Sequence, residues 1–110
     1  MTDIEKAFEQ TLRPALQDAI DEHPTLLKWH RNTEDELSIA TASMHYLLVF
    51  AVRDGTDTIE ERWVDMMRPP EDPYEYRHVR TVEEVLELDP DPEDEDELGF
   101  VERWVDHVLA

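Results

Sequence analysis

The 110 residues carry 29 acidic side chains against 10 basic ones, a formal net charge of −19, and no cysteine. That length holds one hydrophobic core but not two, the missing thiols exclude a disulfide framework and a thiolate zinc site, and the charge opposes anionic membrane surfaces. Only Lys6 and Lys28 are lysines and the remaining bases are arginines, a pattern suited to multimolar salt, where the Debye length falls to about 3 Å and like charges no longer swell the fold.

The opening MTDIEKAFEQ has neither a basic nor an apolar leader region, so it does not read as a signal peptide. The longest strictly apolar run, Tyr46 to Val52, is too short to span a bilayer. The expected location is the cytoplasm of a salt-adapted cell.

Thr2 and Glu5 have the spacing of a helix capping box. Ile4, Phe8, Leu12, Leu16 and Ile20 follow as an apolar stripe with polar residues on the other faces. Pro14 lies inside this helix and predicts a kink or a break near Arg13. Pro24 predicts the end. Residues 24–32 read as a connection in which Trp29 covers the end of the core.

Thr33 and Glu36 repeat the capping spacing, and Asp54-Gly55 offers a helix stop. Between them the apolar stretch predicts a central helix over about residues 33–54, with the other helices packed around it. A strand near 44–52 is the alternative, because Tyr46 to Val52 is aromatic and β-branched, and Leu37, Ile39 and Thr41 alternate with small residues. Thr58 and Glu61 predict a helix over 59–67. Residues 68–80 then read as a Pro-bounded arm, Thr81 and Glu84 as a further capped short helix, 89–96 as an acidic linker, and about 93–109 as a last helix.

The expected fold is therefore all-α: one acidic domain over 1–110, a small bundle of four to five helices, with an α/β fold as the alternative if 44–52 is a strand. One internal echo stands out. Glu61-Arg62-Trp63-Val64-Asp65 recurs as Glu102-Arg103-Trp104-Val105-Asp106, with Ile59 and Phe100 four residues before each Trp. Read as helices, the two copies either reflect chance or similar packing needs, or occupy equivalent places in the fold.

Chemistry-bearing motifs are scarce. There is no Gly-rich phosphate loop, nucleophile elbow, His-Glu-x-x-His pair or EF-hand loop. His45 lies in the apolar stretch, and Glu75 and His78 have the Glu-x-x-His spacing of di-iron bundles, without the further ligands such a site needs. The one departure from acidity is Arg68, Arg77, His78 and Arg80 interleaved with Tyr74 and Tyr76. Tyr, Trp and Arg dominate interface hot spots, so Trp63, Trp104, Arg68, Tyr74, Tyr76, Arg77 and Arg80 are the candidate partner-binding residues.

The expected function is a non-enzymatic protein–protein interaction module, an adaptor or a subunit of an assembly such as an oligomer or a virus particle, adapted to high salt. Its partner is another protein or a second copy, with no cofactor, metal, nucleic acid or membrane. Two readings compete with it. One is an acidic inhibitor that mimics DNA, which needs carboxylates along one elongated face. The other is a small metal-binding or catalytic domain using His45 or the Glu75/His78 pair.

Overall fold

A computed structural model describes residues 2–53, 57–88 and 99–109. The all-α expectation is overturned. The chain forms a five-stranded antiparallel sheet in the order β1-β2-β3-β4-β5, with helices packed on one face, a mixed α/β architecture. The strands are β1 (Leu27–Asn32), β2 (Glu36–Thr41), β3 (Tyr46–Val52), β4 (Thr58–Asp65) and β5 (Tyr74–Thr81). The helical segments are α1 (Asp3–Lys6), a π-helical segment (Ala7–Leu12), α2 (Arg13–Glu22), α3 (Val82–Leu86) and α4 (Phe100–Leu109). The acidic linker at 89–96 and the Gly55 stop lie outside the described residues.

The N-terminal helix begins where the sequence predicts, with the Thr2 hydroxyl accepting the Glu5 N–H at 3.2 Å. Near Pro14 two helical segments meet, the π-helical one ending at Leu12 and α2 starting at Arg13. Proline has no N–H and crowds the carbonyl four residues back. The turn before it widens instead, so that Arg13 N–H donates to the Phe8 carbonyl five residues earlier. The wider turn also solves a phase problem. A four-residue repeat drifts by about 40° per step around an α-helix of 3.6 residues per turn, and π winding takes up part of that drift. Ile4, Phe8, Leu12, Leu16 and Ile20 accordingly all reach the main core.

The predicted central helix is two strands and a tight turn. β2 and β3 pair from Glu36↔Ala51 to Ala40↔Leu47, so the alternative strand near 44–52 is the one the structure has. Leu37, Ile39, Leu48 and Phe50 point to the helices and join the main core. Ala40, Leu47, Val49 and Ala51 point the other way and form a second buried cluster. Both faces of these strands are apolar, which in the sequence resembles a helix covered on two sides. The Thr33/Glu36 pair caps no helix. The Thr33 hydroxyl accepts the Glu36 N–H at 3.0 Å while the Thr33 N–H donates to the Glu36 carbonyl, closing the β1–β2 hairpin.

The helix predicted over 59–67 is β4, and the arm at 68–80 is a turn followed by β5. The connection at 24–32 contains β1, whose Trp29 packs against the core and donates its indole N–H to Gln17 of α2 at 3.0 Å. Both edge strands carry a bulge. His30 falls between Trp29↔Ile39 and Arg31↔Ser38, and Glu75 falls between Tyr76↔Trp63 and Tyr74↔Val64. Thr81 and Glu84 do make a full capping box, opening α3 directly from β5.

The main core unites the helical layer with one face of the sheet. Phe8, Leu12, Leu16, Val85 and Trp104 meet Leu37, Ile39, Leu48, Phe50 and Ile59, all 2 % exposed or less. The Phe100 ring meets Phe50 edge-on, with centroids 5.9 Å apart. No helix among the described residues is long and apolar enough to cross a membrane.

Candidate functional site

The register sorts the strand residues onto two faces of different chemistry. On the helix side of β4, Glu61 is buried, accepting from the Arg80 guanidinium and from the Trp63 indole N–H at 2.8 Å. Trp63 lies half-buried between Tyr76 (centroids 4.9 Å) and His107 of α4 (5.3 Å). At the adjoining end of the sheet His45 Nε2 meets Asp65 Oδ1 at 2.9 Å, and His107 Nε2 meets Glu75 Oε2 at 2.6 Å. The Met67 backbone N–H, helped by the neighbouring Glu75 and His45, holds the Asp65 carboxyl below its usual range against the opposing effect of burial.

The outer face is different. It is built from alternate residues of all five strands: Lys28 and Arg31 of β1, Glu36, Ser38 and Ala40 of β2, Leu47, Val49 and Ala51 of β3, Glu60, Arg62 and Val64 of β4, and Tyr74, Arg77 and Val79 of β5. No helical residue belongs to its apolar cluster, against which Met44 and Val64 also pack. Glu60 lies deep in this face at 3 % exposure. Its carboxylate accepts from Arg62, and Arg77 Nε donates to it at 3.2 Å, with Arg53 4.0 Å away. Burial pushes the Glu60 carboxyl up, but the guanidinium groups of Arg62 and Arg77 outweigh it and hold the carboxyl below its ordinary value. The Arg77 guanidinium also lies 4.9 Å over the Tyr74 ring.

Charge is partitioned between the faces. Lys28, Arg31, Arg53, Arg62 and Arg77, half of the chain's 10 basic residues, meet on the outer face, where the carboxylates of the described strands are Glu36 and Glu60. Among the described residues the outer face is thus locally basic on a chain whose net charge is −19. At its centre the Ser38 hydroxyl is buried, and it is the one buried side-chain polar atom without a hydrogen-bond partner among the described residues. At its margin Met44 holds a left-handed conformation (φ 63°), which costs a residue with a Cβ about 1 kcal/mol or more.

The candidate partner-binding residues do not form one patch. The Glu75 bulge turns Tyr74 to the outer face with Arg77 and leaves Tyr76 on the helix side with Trp63 and Arg80. Arg68 lies in the β4–β5 turn, paired with Asp72. Trp104 is 1 % exposed and belongs to the core. The Glu61–Asp65 echo is a strand, and its twin Glu102–Asp106 is helical. Glu75 bonds His107 rather than His78, and His45 is half-exposed at a turn rather than buried. Among the described residues no group of three or more His, Cys, Asp or Glu is placed to hold a metal ion. Sequence reading missed Lys28, Arg31, Arg53 and Arg62 as a set, because only the strand register brings them together. Comparison with protein-family models, curated proteins and solved structures found no match.

Proposed function

We propose that the chain is a non-enzymatic protein-interaction module adapted to high salt, and that the outer face of the sheet is its docking surface. The observation that supports this reading is the concentration of arginine on that face, where the Arg31, Arg53 and Arg77 side chains are each about half exposed or more. Arg and Tyr are enriched in interface hot spots. The side chains around Glu60 are held by ion pairs and the Tyr74 contact, so a partner would meet a surface already ordered.

Adaptation to salt rests on the net charge of −19 and the preference for arginine. Counterions in concentrated salt screen the mutual repulsion of so many carboxylates. The backbone extends 36 × 35 × 23 Å, so it is not elongated along one axis.

Photo-crosslinking from position 77 and from Asp18 on α2, in cells grown in concentrated salt, tests the reading. A defined protein is expected to attach at position 77 and not at Asp18, and to rebuild a two-component or self-assembled complex from purified parts. A chain that stays a monomer by light scattering, with no complex rebuilt through the outer face, removes it.

A further inference from the structure

We infer that copies of this chain bind one another head to tail, the β4–β5 turn of one seated in a cavity at the far end of the same hairpin in the next. The inference is independent of the docking role proposed above. Two adjacent side chains carry it: Met67 is 77 % exposed and Met66 56 %, the most exposed large apolar residues among those described. Neighbouring apolar groups left in water mark an interaction site, where a single one would not. The backbone beneath them is fixed. The Met66 N–H donates to the His45 carbonyl at 2.8 Å, the Met67 N–H to Asp65 Oδ1 at 2.9 Å, and the Arg68 N–H to the Asp65 carbonyl at 3.1 Å. The methionines are presented on an ordered turn, so docking them costs little chain entropy.

β4 and β5 pair Val64 with Tyr74 beside that turn and Thr58 with Thr81 at the far end. There, about 25 Å away at about 3.3 Å per strand residue, residues 2–4, 57–58 and 81–83 line a cavity of about 540 Å³. Two methionine side chains, of four heavy atoms each, fit that volume at about 30 Å³ per water-sized group. Of the lining only Val82 is buried, and Ile4, Thr2 and Thr81 remain accessible to an incoming apolar group. Charge complementarity selects a second copy as the occupant. Asp3, Asp57 and Glu83 line the cavity, are exposed, and make no ion pair among the described residues. Arg68 follows Met67 on the turn, and its own partner is the exposed Asp72, a pairing that is cheap to exchange. One turn thus brings two adaptable thioethers and the guanidinium that the carboxylates lack. The two patches differ, so each copy gives a turn and takes one, and the strand edges play no part. Copies of net charge −19 repel in dilute buffer; molar salt screens that repulsion while contacts at hydrogen-bond distance persist.

Sedimentation equilibrium of the full chain, up to about 1 mM in about 2 M KCl, tests the inference. The average mass is expected to rise with concentration. Met66→Ser with Met67→Ser, at exposed positions in a turn, is expected to weaken association by about tenfold or more. Arg68→Glu and Asp57→Lys should each weaken it as well, and mixing the two variants should restore it, because the reversed turn then faces the reversed cavity. Photo-crosslinking from position 67 is expected to label residues 2–4, 57–58 or 81–83 of another copy. A strict monomer, association indifferent to the methionines, or no recovery on mixing overturns the inference. Crosslinks from position 67 to a different protein, or to another part of the second copy, overturn it too. None of these outcomes alters what position 77 captures, so the docking role of the outer face stands or falls separately.

Discussion

Two neighbouring carboxylates on β4 show how one residue step changes what a charge does. Glu60 and Glu61 are each 3 % exposed, yet they face opposite sides of the sheet. Glu61 is held on the helix side by Arg80 and the Trp63 indole. Breaking a buried ion pair from one side strands its partner, so Glu61→Ala is expected to lower the unfolding free energy by about 3 kcal/mol in denaturant titrations run in concentrated salt. Glu60 makes a different prediction. Its carboxyl and that of Asp65 lie below their ordinary values of 4.5 and 3.8 in the folded chain. As pH falls through those values the unfolded chain takes up protons first, so stability is full above them and drains away towards the lower folded values. Unfolding midpoints from neutral pH down to about pH 3 should show this decline, and Glu60→Gln should flatten its share of the slope.

Identical pentapeptides, Glu61–Asp65 and Glu102–Asp106, are a strand and a helix in the same fold. Neighbours decide between the two states. In β4 alternation sends Glu61 and Trp63 to one face and Arg62 and Val64 to the other, and both faces find partners. In α4 Val101, Trp104 and Val108 share a stripe against the helical core. Trp104→Ala should therefore cost about 3–5 kcal/mol by thermal or chemical unfolding, and Trp63→Ala, from a half-buried site, about 2 kcal/mol. The same ambiguity explains how much could be read beforehand. The N-terminal helix and the capped α3 were legible, because Thr2 and Thr81 hydroxyls do accept N–H groups of a first turn. The Thr33 hydroxyl makes the same bond in a hairpin, and Thr58 opens a strand, so that spacing identifies a local hydrogen bond and not the element that follows. Ile59 and Trp63, four apart, share a face in either state. The alternation of Tyr74, Arg77 and Val79 was hidden by Glu75, whose bulge shifts the phase of the strand midway. Of the site, Tyr74 and Arg77 were visible as a Tyr/Arg cluster, but pairing across strands was needed to join them to Glu60, Arg62 and Ser38.

At the scale of the whole molecule the charge is both large and uneven. Raising KCl from about 0.1 M to about 2 M shortens the screening distance from about 10 Å to about 3 Å or less, so the unfolding midpoint should climb steadily across that range. A midpoint indifferent to salt would remove the rationale for the acidic surface. The offset residues in the two marginal strands carry a last consequence. His30 and Glu75 interrupt the ladder on opposite flanks of the sheet, so neither flank presents an unbroken template for a foreign chain to zip onto. In a crowded brine, where repulsion between molecules is largely silenced, those irregularities would keep concentrated stocks of the protein from growing into fibrils.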